Sequence, residues 1–196
     1  RAQTGLINVV GEDMKYKAVM GTPDVIKTLQ MLPGVAAGDE MSSGLYVRGG
    51  TGTDNLFLID NVPLYQPSHL LGLFSVLNTD VIDKIGFYKG GFQAKHGGRI
   101  SSVIDASIAE GNYEKSSSML SIGNMDLRYH AEGPMKKDKS SYNIAIRQSC
   151  IGLYLPKLMN WLSIGDYYYE NDIFSEGDYS FIDLNAKFSW KLSARD

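Results

Sequence analysis

The sequence predicts a chain in two parts. The first is an α+β unit, a small mixed β-sheet with short helices, and the second is a series of antiparallel strands. Three observations carry this reading. Between Leu45 and Asp105 the glycine pairs Gly49-Gly50, Gly90-Gly91 and Gly97-Gly98 each adjoin a run with strand character; such corners supply positive φ or close backbone approach, which glycine allows cheaply. Apolar residues recur at helical spacing in two short stretches upstream of Asn78. From about residue 113 the pattern becomes strict period-two alternation. The boundary between the parts falls at Gly111-Asn112, giving a first domain over 1–111 and a second over 112–196.

Bulk properties narrow the function. A chain of 196 residues holds one ordinary domain, or one domain with a fragment of another. Its 21 glycines and 12 tyrosines lean toward β-rich structure. A net charge of −3 without a basic run leaves no electrostatic footprint for nucleic acid. The short cluster Lys136, Lys137 and Lys139, beside Pro134 and Asp138, reads as a solvated turn. A single cysteine, Cys150, makes no internal disulfide, and no metal-type Cys spacing is present. No signal peptide is visible at Arg1-Ala2-Gln3, and no run approaches the roughly 18 apolar residues of a spanning helix. That leaves a soluble chain, one that has lost its signal, or one that crosses a membrane as strands.

Taken in order, GLINVVG and KYKAVMG are short strand-like pieces flanked by Gly5 and Gly11. Thr22-Pro23-Asp24 opens a helix: Pro23 suits a first turn, Val25, Ile26, Leu29 and Leu32 share one face, and Pro33-Gly34 stops it. Ala36 to Ser43 is a small, acidic loop. Leu45 and Val47 form a strand running into the Gly/Thr/Asp loop. Asn55 to Val62 is a nearly continuous apolar strand, covered on both faces, turned by Asp60-Asn61 and ended by Pro63. Ser68 to Leu77, with Leu70, Leu71, Leu73, Phe74 and Leu77, predicts a serine-capped helix. Val81 to Lys89 and Ile100 to Ala106 are strands.

In the second part, Met125, Leu127, Tyr129 and Ala131 alternate with Asp126, Arg128 and His130. Tyr142, Ile144 and Ile146 alternate with Asn143, Ala145 and Arg147. Ile182, Leu184, Ala186, Phe188, Trp190 and Leu192 alternate with Asp183, Asn185, Lys187, Ser189 and Lys191. Such segments fit an outer-membrane barrel strand, apolar toward lipid and polar toward the lumen. They fit equally a water-soluble antiparallel sheet with one buried face. EGPMKKDKSS reads as a compact turn, SIGN as a turn that splits 114–131 into a hairpin, and 150–178, with Tyr167-Tyr168-Tyr169, as a long loop.

Four ordered motifs decide between these readings: Arg48-Gly49-Gly50, Leu58-Ile59-Asp60-Asn61-Val62-Pro63, Tyr88-Lys89-Gly90-Gly91 and His96-Gly97-Gly98-Arg99. Over about residues 20–111 the chain resembles the plug domain of TonB-dependent outer-membrane receptors. The resemblance implies that 112–196 supplies antiparallel transmembrane β-barrel strands, about four of the roughly 22 such a barrel needs, so that the barrel is incomplete in this chain. It places the EGPMKKDKSS turn on the periplasmic side and the 150–178 loop outside, with Ser193 to Asp196 as the next short turn. The family's energy-coupling box, which pairs with a periplasmic TonB-type protein by β-augmentation, is not evident, so the chain is expected to begin downstream of it.

The resemblance further implies a gate: a plug in the lumen that rearranges to admit cargo, lodged in the outer membrane and reachable from the periplasm. Its motif and gating residues would be Arg48, Gly49, Gly50, Asp60, Lys89, Gly90, Gly91, Gly97, Gly98 and Arg99. Thr51, Thr53, Asp54, Asn55, Tyr65, Gln66 and His69 are candidates for the cargo-facing apex. Family members usually carry an acidic residue where Gly86 stands and arginine where Lys89 stands; both belong to an ionic lock on the barrel wall. Here that lock would lean on Arg48, Lys89 and Arg99, and lysine lacks arginine's bidentate fork. The HGGR ending followed by an EGP turn looks most like Bacteroidetes-type receptors, some of which work with a surface lipoprotein to import glycans or peptides. A siderophore or vitamin is an equal candidate cargo. Residues 113–196 alone are expected to be exposed edge strands or disordered.

Two other classes compete. An enzyme would draw on Asp60, Asp105, His69, His96, His130, Ser101 or Cys150, but no nucleophile elbow, HExxH or zinc spacing joins them, and GGTGT lacks the Gly-Lys-Ser/Thr of a phosphate loop. No catalytic residue, metal or cofactor is therefore expected. A soluble β-rich binding or adhesion module would use the alternating strands as a sandwich.

Overall fold

A computed structural model describes residues 5–11, 13–16, 18–19, 21–37, 44–69, 72, 74–153, 157 and 179–192. In chain order the strands are β1 (Leu6–Val10), β2 (Ala18–Val19), β3 (Thr22–Pro23), β4 (Val35–Ala37), β5 (Leu45–Val47), β6 (Asn55–Ile59), β7 (Val62–Leu64), β8 (Ser68–His69), β9 (Phe74–Ser75), β10 (Ile82–Tyr88), β11 (Ser102–Ile108), β12 (Ser117–Ile122), β13 (Asp126–Lys136), β14 (Ser140–Ser149) and β15 (Ile182–Trp190). Helix α1 spans Val25–Gln30.

The first part is built on a five-stranded mixed sheet in the order β1-β10-β11-β6-β7, with β11 and β6 parallel and the other pairs antiparallel. Alternate residues of its strands, Val9, Ile85, Phe87, Ile104, Ala106 and Phe57, enter one core with Val25, Ile26 and Leu29 of α1 and Leu45 and Val47 of β5. Each fully buried side chain of this size stabilises the fold by about 1.5–3 kcal/mol relative to exposure.

Helix α1 is only six residues long, so its cap matters. Asp24 adopts an extended backbone, and its carboxylate accepts the Ile26 and Lys27 amides at 2.8 and 3.2 Å. Pro23, expected in the first turn, instead pairs with Ala18 in the β2–β3 ladder.

The second part is an antiparallel meander, β12-β13-β14-β15. Strands β13, β14 and β15 run 11, 10 and 9 residues, the length of a tilted membrane-spanning strand. Its burial is inverted relative to a soluble sheet. Polar Asn143 and Arg147 are buried with Ala145 between them, whereas Leu184 is 68% and Trp190 61% exposed. An apolar face turned outward along a whole sheet is the arrangement lipid requires and water penalises.

Several expectations are corrected. The helix over Ser68–Leu77 is instead a β8–β9 hairpin, with Ser68 opposite Ser75 and His69 opposite Phe74; Gly72 at φ 98° breaks any helix there, and the Ser75 amide is taken by Asp24. Leu70, Leu71 and Leu73 lie outside the described residues. Pro63 does not end the 55–62 strand: Asp60 and Asn61, at φ 46° and 68°, turn the chain back into β7. The EGPMKKDKSS turn shrinks to about 137–139, because β13 runs on through a register irregularity between Pro134 and Lys136, and Asp138 at φ 60° makes the corner. Of the two alternatives for 113–196, disorder is corrected for the described strands, which form a sheet whose polar face finds partners in the first part, whereas β12 and β15 are edge strands paired on one side among the described residues. Most of the 150–178 loop and all of Ser193–Asp196 lie outside the described residues.

Candidate functional site between the two sheets

Two of the three glycine corners, Gly49-Gly50 and Gly90-Gly91, meet through Arg48. A Cβ built on Gly50 would fall on the Ser101 hydroxyl, and one on Gly90 (φ 150°) would stand 2.8 Å from Arg48 Nη1. Arg48 itself has φ 49°. Ser101 Oγ donates to the Val47 carbonyl at 2.8 Å, stitching the Arg48-Gly49-Gly50 corner to the chain entering β11. Lys89 Nζ donates to the Pro33 carbonyl at 2.6 Å, and its amide to Gly5. Gly98 sits at φ 86°, whereas Gly97 has neither a positive φ nor a neighbour that a Cβ would meet. Gly91 is at φ 63°. At Gly86, a Cβ would stand 3.3 Å from the Tyr88 ring, so an acidic side chain there would press on it.

The loop candidates divide. Thr51, Thr53, Tyr65 and Gln66 are exposed, Tyr65 at 89%. Asp54 closes a turn by accepting the Thr51 amide and hydroxyl, both at 2.7 Å; that hydroxyl, then the amide, hold its carboxyl below the usual carboxylate range, with help from Arg99. Asn55 is buried: its amide donates to the Leu45 carbonyl at 2.6 Å, and its oxygen accepts Ser102 Oγ at 2.7 Å. It holds the loop rather than facing out. His69 is half-buried, and its Nε2 lies 2.7 Å from Asp183 Oδ1 of β15.

The contacts that bind the two sheets come from residues the sequence did not single out for this role. Arg128 of β13 grips both oxygens of Asp80, at 3.1 and 3.0 Å, with Asp126 Oδ1 3.6 Å from its Nε. Thr22 Oγ1 donates to Asp126 at 3.1 Å. Arg147 of β14 donates to Asp183 and to the Ser75 carbonyl. Lys187 Nζ reaches Asp60 Oδ2 at 3.1 Å and the Ile108 carbonyl at 2.7 Å. Asn143 Nδ2 and Ser141 Oγ donate to the Ala109 and Glu110 carbonyls just beyond β11. Among the described Lys and Arg ion pairs between the two parts, the first part thus supplies Asp60 and Asp80 and the second supplies the cations, while the His69–Asp183 contact runs the other way. Of the ten motif residues, Asp60 joins these pairs; Arg48, Lys89 and Arg99 adjoin the glycine corners.

Asp24 lies behind this interface. Burial pushes its carboxyl above the usual range, opposed by the Ser75, Lys27 and Ile26 amides and by Arg147. Among the described residues no group of three or more His, Cys, Asp or Glu could hold a metal ion. The missed interface had one signal in the sequence: Arg128, Arg147 and Lys187 all fall on the polar face of the alternating strands, a face that must find partners when the apolar face is turned away.

No curated protein matches the chain's sequence. Its fold is shared by solved outer-membrane proteins at low identity. The siderophore receptor PirA from Acinetobacter baumannii is 15% identical over 75% of this chain and 25% of that one, with a TM-score of 0.53. The outer membrane transporter YddB from Escherichia coli is 14% identical over 74% and 26%, at 0.52, and the copper transporter OprC 14% over 76% and 24%, at 0.56. The chain spans about a quarter of the length of these structures. Residues 2–103 match the family model of the TonB-dependent Receptor Plug Domain. With that match over more than half of the chain, a mixed sheet in its first part and the polar face of a second sheet set against it, this chain belongs to the TonB-dependent receptor plug-domain family.

Proposed function

We propose that residues 1–111 form a plug that gates energy-coupled nutrient uptake through an outer-membrane β-barrel to which 112–196 contributes strands. The observation that supports this most is the inverted sheet: its polar face grips the plug through Asp60, Asp80 and Ser75, and its apolar face is left for lipid. A polar interface of this kind can be parted without exposing a hydrophobic core. That is what a gate inside a lumen needs, and it is consistent with no catalytic role.

The partner would be a periplasmic TonB-type protein that pulls on the plug. The exposed Thr51, Thr53, Tyr65 and Gln66 would face the cargo, a siderophore, vitamin, glycan or peptide. The HGGR and EGP features favour a Bacteroidetes-type receptor working with a surface lipoprotein. The test is cargo uptake by cells carrying the whole receptor, with and without the energy-coupling protein. Uptake that saturates and stops when the coupling protein is removed supports the reading; uptake unaffected by that removal overturns it.

A further inference from the structure

Ser75 is fully buried, and its polar atoms join three different parts of the molecule. Its amide donates to Asp24 Oδ2 at 2.8 Å, its hydroxyl accepts the Leu77 amide at 3.0 Å, and its carbonyl accepts Arg147 Nη2 at 2.6 Å. The other oxygen of Asp24 caps α1 through the Ile26 and Lys27 amides. Arg147, 1% exposed, sits directly opposite Asp183 in the β14–β15 register and donates Nε to its Oδ2 at 2.9 Å. The other oxygen of Asp183 holds His69, whose ring stacks on Phe181 at 4.1 Å and 9°; the Arg147 guanidinium lies 5.3 Å from the centre of the Phe181 ring.

We propose that Arg147 is the positioning residue that fastens the β8–β9 hairpin to the barrel wall and, through Ser75 and Asp24, sets the cap of α1. The hairpin is held at both strands, Ser75 by Arg147 directly and His69 through the Asp183 that Arg147 orients. Release of the hairpin from the wall therefore loosens the helix cap, so the segment after Tyr65 and Gln66 is tied to α1. The guanidinium divides the work, Nε and Nη2 on the Asp183 carboxylate and Nη2 on the Ser75 carbonyl, a fork that the single nitrogen of a lysine does not reproduce. The inference rests on the gating reading and identifies a joint at which the gate is fastened.

The test is amide hydrogen exchange at Ser75 and Ile26 in the full-length receptor in detergent micelles, without cargo or energy. In Arg147→Met both amides are expected to exchange faster together, by about ten- to a hundredfold, the range for losing a hydrogen bond to a charged group. Lys187→Met, which breaks a separate wall contact, is expected to leave both unchanged. If Arg147→Met does not assemble, Arg147→Met with Asp183→Asn removes both charges, and Arg147→Lys keeps the charge without the fork; each is expected to give the same paired acceleration. Acceleration at Ser75 alone, or at neither amide, overturns the proposal. The readout needs no transport, so a receptor that fails energised uptake defeats the gating reading and leaves this result standing.

Discussion

The two sheets of this molecule use the same alternation in opposite senses. In the five-stranded sheet, Ile85, Phe87 and Ile104 point into a core and the fold is held by apolar burial. In the four-stranded sheet, the inward face is Asn143, Arg147, Asp183 and Lys187, and the apolar residues point away. Period two says that two faces differ and nothing about which one is inside. The inside is whatever the neighbouring sheet offers: here Asp60, Asp80 and a row of carbonyls, so the polar face is the complementary one.

The sharpest way to break this comparison is to remove cations from the inner face at two depths. Arg128→Met leaves Asp80 and Asp126, both buried, without their counter-charge. Breaking a buried pair in this way costs about 3–5 kcal/mol. Lys187→Met acts at a pair whose side chains remain 28% and 38% exposed, and exposed pairs contribute about 0–1 kcal/mol. Urea titration of the detergent-solubilised protein is expected to separate the two variants widely; equal midpoints would mean that the inner face is solvated rather than packed.

The outer face gives the next largest effect. Ala186 lies at the centre of β15 on the apolar side. If that side meets lipid, Ala186→Arg costs about 2–4 kcal/mol of membrane-inserted stability near the bilayer midplane. In a soluble module the same change on an exposed strand is worth within about 0.5 kcal/mol. Folding titrations in lipid vesicles measure the difference directly, and a silent Ala186→Arg would restore the soluble-sheet reading.

Much of the fold was legible in the sequence, and the failures have physical reasons. The Arg48-Gly49-Gly50 and Gly90-Gly91 corners could be read because Gly49, Gly90 and Gly91 adopt positive φ, a local demand. The β8–β9 hairpin was misread because leucine spacing at 70–77 suggests a helix, while what fixes Ser75 is Asp24, 51 residues away, and Arg147, 72 residues away. Asp24 was seen as part of a helix start, but its second oxygen was not predictable from local pattern. Asn55 looked like a loop residue facing out, yet three backbone carbonyls and Ser102 claim it. The interface cations were visible as polar-face residues, but pairing them with Asp60 and Asp80 required knowing which sheet lies against which.

The glycines carry the finest test of that legibility, because the sequence treats Gly50 and Gly97 alike and the structure does not. A methyl group on Gly50 collides with the side chain of Ser101, whose hydroxyl ties the corner to Val47; relieving the clash means moving Ser101 and giving up that 2.8 Å hydrogen bond. Gly50→Ala is therefore expected to cost about 1–3 kcal/mol, as for an overpacked site. Gly97 has an ordinary backbone and open space where a Cβ would go, so Gly97→Ala is expected to stay within about 0.5 kcal/mol. Pairing Gly50→Ala with Ser101→Gly should recover part of the loss, since it removes the colliding atoms while leaving the corner's backbone unchanged. If Gly97→Ala proves as costly as Gly50→Ala, the corner at residues 97–98 meets a surface beyond the described residues, and the barrel wall becomes the place to look for it.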